Sequence, residues 1–455
     1  MTRVLVLGGG PAGYVAAGRA AQLGAEVTVV EHRDLGGTCL NRGCIPTKAM
    51  VAGAQRLHHA RTGAAFGVVA GDVSLDFGAF MARKDAVTAQ LRDGVAQLLK
   101  ARKVTVVAQK GTLVGPRSVD LQDGASLEAD AVVLATGSEP VRLPLFDFSD
   151  PRVMTSDELL AIDHVPETLA IVGGGVIGCE FASVFTRLGS KVTVIEMLDQ
   201  LLPGEDKRTG RSLQTAFKKA GIEVLVKSGV EAVEQGDAGV ALRLAGGREV
   251  TAGDVLVAVG RRPVSAGLGY EQAGVRLDRG FVVTDDTTRT SLDGVFAAGD
   301  VAGPPLLAHW AYHQGAIAAE NAVTGSALRC DRSIVPNCVF SSPEVASFGL
   351  TEDRAAAEGR AVQVAHTRFN PNSKAVVDGE ADGYVRVICE PEGGRVLGAS
   401  LIGPHVTELV HELALAARSG LTLRDVMELI HAHPTLAEAL GEAALGAFGR
   451  GQHSL

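Results

Sequence analysis

The sequence predicts an α/β chain with two copies of one strand–turn–helix–strand unit, followed by a smaller α+β domain. Residues 3–31 align with residues 168–196 at a constant offset of 165 without gaps, and 11 of the 29 positions are identical. Duplication of one unit explains this better than chance. Each copy sets a Gly-x-Gly-x-x-Gly turn between an apolar strand and an amphipathic helix, with an acid 18 residues after the third glycine. In residues 341–455, apolar runs at strand spacing (384–389, 396–402) give way to amphipathic stretches (406–419, 423–430). That pattern is a small antiparallel sheet with helices.

The elements follow in order. Residues 4–7 form the first strand, and Gly8, Gly10 and Gly13 make the turn. Residues 14–23 form a helix, and 26–31 a strand ending in Glu31. Next comes the run GGTCLNRGCIPTK, with Cys39 and Cys44 five apart. On a straight helix that spacing separates Cα atoms by roughly 8–9 Å, whereas a disulfide needs about 4.4–6.8 Å. A bonded pair therefore requires a bend, and Asn41 and Gly43 are suited to one. Residues 132–138 read as a strand running into the turn Thr136-Gly137-Ser138. The second copy repeats the plan: strand 170–172, glycines Gly173, Gly175 and Gly178, helix 179–188, and strand 191–196 ending in Glu196. Residues 290–300 read as a strand ending in Gly299-Asp300.

Composition bounds the function. A chain of 455 residues exceeds one core and implies about three or four domains. A net charge of −9 without basic blocks argues against nucleic-acid binding. No secretory signal is expected at the start of the chain, because Gly8-Gly9-Gly10-Pro11 breaks any apolar helix there. No run of 18 apolar residues is present, so no membrane span is expected. Six cysteines in 455 residues fit a reducing cytoplasm, where a disulfide is catalytic rather than structural. Cys179, Cys330, Cys338 and Cys389 are expected to be buried free thiols. No metal site is predicted.

The glycine turns let a backbone approach a pyrophosphate at a helix N-terminus. Glu31 and Glu196 can each accept a hydrogen bond from an adenosine ribose hydroxyl. A carboxylate there repels a 2′-phosphate, so the second unit should prefer NAD to NADP. Only the first unit is followed by the cysteine pair. A redox dithiol exchanges electrons only with a ring it touches, so the first ligand should carry a flavin and the second a nicotinamide. An Asp at a strand end, such as Asp300, can hold a ribityl hydroxyl. His433 is suited to remove a thiol proton near neutral pH. Glu438 can fix its tautomer if a helix begins after Pro434. His431 reads as a packed structural histidine.

The motifs GGGPAG, GGTCLNRGCIPTK, ATGS, GGGVIGCE, VGRRP, VFAAGD, LAH and HAHPTLAE resemble the disulfide-reductase flavoproteins, and within them the lipoamide-linked branch. The resemblance covers nearly the whole chain. It implies two Rossmann-like domains, an FAD domain at 1–145 and an NAD domain at 146–262. A central segment at 263–333 would complete the FAD site, and an interface domain at 334–455 would build a homodimer. It implies that Cys39 exchanges with substrate, that Cys44 lies against the flavin, and that Lys48 near the flavin pairs with Glu180. His433 and Glu438 would act on the cysteines of the other subunit. It extends the FAD set from the glycines, Glu31, Thr136, Gly137, Ser138, Gly299 and Asp300 to Gly37, Thr38, Gly111, Ala308 and His309. It extends the NAD set to Val176, Ile177, Glu180, Val230 and Gly260. Electrons would pass from dihydrolipoamide through the cysteine pair and FAD to NAD⁺. The implied partner is a lipoyl-bearing protein of a 2-oxo acid dehydrogenase or glycine cleavage complex. The alternative is an NAD(P)H-dependent reductase of another low-molecular-weight disulfide. Trp310 stands where the family often has lysine; packing is the favoured reading for it.

Overall fold

The computed structural model describes residues 1–237 and 239–453. Strand β1 (Arg3–Leu7) is buried at all but its first residue, as a parallel strand covered on both faces must be. It pairs with β2 (Glu26–Val30) from Arg3↔Glu26 to Leu7↔Val30. Beyond β2 lies β3 (Thr105–Val107); on the other side of β1 lie strands Ala131–Leu134 and Val295–Ala297. All five run parallel. Their sequence order is 3-2-1-4-5, so the winding reverses between β1 and Ala131–Leu134.

The second sheet follows the same plan, in the order Glu223–Leu225, Lys191–Ile195, Thr168–Val172, Asp254–Val257, Val153–Met154. The likeness extends well past the aligned residues. Each unit inserts a three-stranded antiparallel sheet ahead of its fourth position: Gly111–Gly115, Ser118–Leu121 and Ser126–Glu128 in the first; Val230–Gly236, Gly239–Leu244 and Glu249–Ala252 in the second. The outermost strands differ in origin. The first sheet takes Val295–Ala297 from beyond the whole second unit, so the chain passes between the units twice. The passing strands Ser138–Pro140 and Arg261–Pro263 pair antiparallel.

Two expectations need correction here. Helix α1 (Pro11–Gln22) and its counterpart Val176–Leu188 begin three residues earlier than the periodicity indicated. Pro11 suits the first helical position, and the third glycine lies inside the first turn. A Cβ on Gly13 would fall 1.8 Å from the Gly8 carbonyl oxygen, and one on Gly178 would fall 2.0 Å from that of Gly173. The strand expected over 290–300 is confined to Val295–Ala297. The Thr290 hydroxyl bonds the Leu292 and Val295 carbonyls and holds the preceding residues in a turn.

The C-terminal sheet is antiparallel, in the order Asn337–Val339, Glu344–Gly349, Val396–Gly403, Tyr384–Cys389, Gln363–Arg368. Helices Val406–Arg418 and Glu438–Ala447 share its core through Val410, Leu413 and Leu440 packed with Phe348 and Leu401. The helix expected over 423–430 stops at Glu428, because Leu429 is extended. Among the described residues no helix is long and apolar enough to cross a membrane.

Candidate active site

A reversal of winding leaves a crevice at the carboxyl ends of the strands, where ligands bind in open α/β sheets. Gly8, Gly10 and Gly13 follow β1, and Glu31 follows β2. Thr136, Gly137 and Ser138 follow Ala131–Leu134, while Gly299 and Asp300 follow Val295–Ala297. The second sheet places Gly173, Gly175, Gly178, Val176 and Ile177 after Thr168–Val172, Glu196 after Lys191–Ile195, and Gly260 after Asp254–Val257. The two acids are held alike. Glu31 accepts from the Gly9 and Arg33 amides, both at 2.7 Å; Glu196 accepts from Gly174 and Leu198, also at 2.7 Å. Each carboxylate thus braces its glycine turn and keeps lone pairs for a further donor.

The cysteine run is two helices, α2 (Gly37–Arg42) and α3 (Cys44–Thr62). Gly43, with φ −151° and ψ −114°, separates them. The bend is therefore at Gly43. Asn41 stays helical and uses its amide to hold the Leu35 and Gly37 carbonyls at 2.9 Å. Both cysteines are free thiols, and each is the largest influence on the other. The Cys44 side chain and then burial push Cys39 far up. Cys39, helped by Lys48 and opposed by burial, holds Cys44 down to about 7. Of the two, Cys44 is the sulfur favoured as a thiolate.

Lys48, one turn into α3, places its Nζ 2.8 and 2.9 Å from the two oxygens of Glu180. The pair forms because α3 lies on helix Val176–Leu188; Met50, Ala54 and Leu57 share one apolar cluster with Phe181 and Phe185. Glu180 is buried and also accepts from the Phe340 amide at 3.0 Å. One carboxylate therefore ties together α3, the second unit and the C-terminal domain. Glu180→Ala would strand Lys48 and that amide. The expected destabilisation is roughly 2–3 kcal/mol by denaturant titration, below the roughly 3–5 of a fully buried pair, because Lys48 keeps one side in solvent.

His433 Nδ1 lies 2.9 Å from Glu438 Oε1. A carboxylate only accepts, so Nδ1 carries the proton and Nε2 is free to act as a base. Burial opposes ionisation of Glu438, but the Thr435 amide and the His433 ring hold its pKa below the ordinary value. The helix expected after Pro434 begins only at Glu438; the turn before it brings the two groups together. His431 pairs with Glu412 at 3.0 Å, which raises its pKa. The cavity that His433 and Glu438 line, about 330 Å³, is built wholly from residues between Thr367 and His453.

The remaining positions are more scattered. Gly111 packs on Leu7, Val30 and Val119, and Val230 opens the inserted sheet of the second unit. Ala308 and His309 start helix Ala308–Thr324, where His309 bonds the Pro336 carbonyl. Trp310 is buried, as packing requires. Cys179 and Cys389 are buried, but Cys330 and Cys338 are only half-buried, contrary to expectation, since Cys330 lies in chain ahead of the C-terminal sheet and Cys338 on its edge strand. Sequence reasoning missed the centrality of Ser138. Its hydroxyl donates to Asp300 at 2.5 Å and accepts from Arg261 at 2.8 Å, and its carbonyl accepts from Arg261 and from Thr38 beside Cys39. The motif VGRRP contained Arg261, but spacing alone gave it no partner.

Residues 2–315 match the family model described as pyridine nucleotide-disulphide oxidoreductase, and residues 335–444 match its dimerisation domain. A dihydrolipoyl dehydrogenase of Chlamydia muridarum is 41% identical over 97% of this chain and 96% of its own. One from Bacillus subtilis is 40% identical over 99% of each. Among solved structures, LpdA from Mycobacterium tuberculosis has a TM-score of 0.91 at 30% identity, covering 98% of this chain and 99% of that one. The HOCl-induced flavoprotein disulfide reductase RclA of Escherichia coli has a TM-score of 0.88 at 28% identity, covering 97% and 98%. The duplicated nucleotide folds, the paired cysteines and these matches agree, and the chain belongs to the pyridine nucleotide-disulphide oxidoreductase family, dimerisation domain included.

Proposed function

We propose that the protein oxidises dihydrolipoamide to lipoamide with NAD⁺, through FAD and the Cys39–Cys44 pair, as a homodimer. The observation that carries this reading is the placement of Cys39 and Cys44 on either side of the Gly43 break, beside a nucleotide fold, with the Lys48–Glu180 pair one turn beyond Cys44.

The residues fit both cofactors. Helices α1 and Val176–Leu188 start at Gly10 and Gly175 without a side-chain cap, which leaves first-turn amides for phosphate oxygens. A Cβ on Gly175 would meet nothing within 4 Å, so the turn opens onto free space. Asp300 accepts no side-chain hydrogen bond besides that of Ser138 among the described residues, which leaves its other oxygen for a ribityl hydroxyl. When bound, FAD supplies a two-electron acceptor for the dithiol and NAD⁺ the final hydride acceptor.

The side chains handle sulfur and protons. A substrate thiolate attacks Cys39 Sγ of the oxidised pair, the new S–S bond forms, and Cys44 leaves as a thiolate. Its pKa near 7 makes it a good leaving group. The second substrate sulfur then closes on the first, releasing lipoamide and the Cys39 thiol. His433 Nε2 takes the proton of the first attacking thiol and releases it to solvent, then takes that of the second and returns it to the departing Cys39 sulfur, while Glu438 stabilises the imidazolium each time. His433 is largely exposed and surrounded by its own domain, so we infer that it serves the cysteines of the paired subunit. A lipoyl arm on a protein of a 2-oxo acid dehydrogenase or glycine cleavage complex is the inferred natural substrate. The sparse cysteines favour the cytoplasm.

The test is NAD⁺ reduction by dihydrolipoamide, beside NADH and NADPH oxidation by lipoamide and by glutathione disulfide. Turnover only with NADPH and glutathione disulfide would sink the proposal. Coenzyme choice follows from Glu196. Met197 and Leu198 beside it are exposed, and the sequence that follows brings no arginine before Arg208 to receive a 2′-phosphate. The kcat/KM for NADP⁺ should be roughly 100-fold below that for NAD⁺, about 2.7 kcal/mol, measured with both coenzymes at saturating dithiol.

A further inference from the structure

Two tyrosines stand at the dithiol and have no part in the chemistry above. Tyr14 lies one turn beyond Gly10 in α1, its amide bonded to the Gly10 carbonyl. Gly10 touches the start of α2: a Cβ on Gly37 would fall 2.6 Å from Gly10 Cα. Cys39 is two residues past Gly37. Tyr14 also packs against the apolar cluster that contains Leu40 and Ala311, and Ile45 packs against the same cluster; Leu40 and Ile45 are the neighbours of the two cysteines. Tyr312 comes from helix Ala308–Thr324. That helix approaches α1 so closely that a Cβ on Gly315 would fall 2.3 Å from the Ala12 carbonyl oxygen. The two phenol rings meet with centroids 5.8 Å apart and planes inclined by 57°, within the range of attractive aromatic pairs. Both are half-buried. Burial raises both phenols, and Cys39 is among the neighbours that add to this in each case, so both hydroxyls stand near that sulfur and stay protonated. Aromatic residues are scarce at 4% of the chain, with four tyrosines and one tryptophan. That two of these tyrosines meet here, with Trp310 buried on the same helix, is therefore not an effect of composition.

We propose that Tyr312, braced by Tyr14, walls the substrate side of Cys39 and selects dithiols carried on an apolar chain over those carried on charged peptides. This rests on the reading of Cys39 as the exchanging thiol. Two neutral phenols present ring faces and O–H groups but no cation to receive a carboxylate, so an alkyl arm loses nothing on entering and a charged one does.

The test uses the holoenzyme with Tyr312→Ala and Tyr312→Phe. Tyr312→Ala should raise KM for dihydrolipoamide about tenfold, the scale of a lost apolar contact. Its kcat and its KM for dithiothreitol should hold, and NADH oxidation by ferricyanide, which bypasses the cysteines, should proceed at the wild-type rate. Tyr312→Phe should behave as wild type. In NADH-reduced enzyme, iodoacetamide should alkylate Cys39 faster in Tyr312→Ala, since part of its cover is gone. Equal KM changes for both dithiols, or a Tyr312→Phe as impaired as Tyr312→Ala, would overturn the proposal. If the wild type does not turn over dihydrolipoamide, the functional reading fails; the alkylation rate still decides whether Tyr312 covers Cys39, and an unchanged rate would overturn the wall.

Discussion

Cys44→Ser is expected to end dihydrolipoamide turnover, by roughly a thousandfold or more, the scale on which loss of a covalent nucleophile registers. NADH oxidation by ferricyanide should survive, because the nucleotide turns and Asp300 are untouched. Cys39→Ser should show the same split for a different reason. With Cys44 gone there is no thiolate to leave from the oxidised pair. With Cys39 gone there is no sulfur for the substrate to attack. The two variants can be told apart by pH. In the reduced wild type, Cys39 and Lys48 hold the Cys44 thiol below its ordinary pKa, so its thiolate forms at lower pH than that of a free cysteine, grows as pH rises and is lost as pH falls. Cys39 is the first cause of that lowering. Cys39→Ala should therefore move the Cys44 titration upward, seen as slower alkylation of Cys44 near neutrality and a later rise of thiolate absorbance with pH. An unmoved titration would mean that Lys48 alone sets Cys44, and the division of labour between the sulfurs would be wrong. Retained dihydrolipoamide turnover in either serine variant would refute the mechanism outright.

The parts of this site visible in the sequence were those with local constraints. The glycine turns could be read because Gly8 and Gly173 have φ of +102° and +114° and no space for a side chain. The acids Glu31 and Glu196 could be read because β2 and its counterpart end where a turn must be braced. The bend between Cys39 and Cys44 followed from helix rise set against the reach of a disulfide. What the sequence withheld was anything held by chain far away. The motifs imply that Glu180 pairs with Lys48, yet its third contact, the Phe340 amide, comes 160 residues later. Ser138 gathers Thr38, Arg261 and Asp300 from three segments, and no periodicity records such a convergence. Tyr312 was invisible for the same reason, since its neighbour Tyr14 comes from a helix almost the whole nucleotide-binding region earlier in the sequence. The helix starts were misplaced by three residues because glycine was treated as a breaker, whereas Gly13 and Gly178 are required inside the first turn by the carbonyl below them.

His433→Gln is expected to lower kcat/KM for dihydrolipoamide by about 10²–10⁴-fold, the usual contribution of a positioned general base. Glu438→Gln should cost less, because it leaves the imidazole in place and removes only the charge that stabilises its protonated form. In both variants the residual rate should rise with pH, as the substrate thiol ionises without help. The sharper question is which cysteine pair this base serves, and subunit mixing answers it. Consider a dimer with Cys39→Ser in one subunit and His433→Gln in the other. If each site lies within one subunit, both sites in that dimer carry a defect and it is dead. If each site joins the cysteines of one subunit to the histidine of its partner, both defects fall in one site and the other is intact. Co-refolded or co-expressed mixtures of two inactive parents should then recover activity, with the heterodimer approaching half the wild-type rate. The exposed imidazole and its cavity of same-domain residues make recovery the expected result, and a silent heterodimer would place the base within its own subunit.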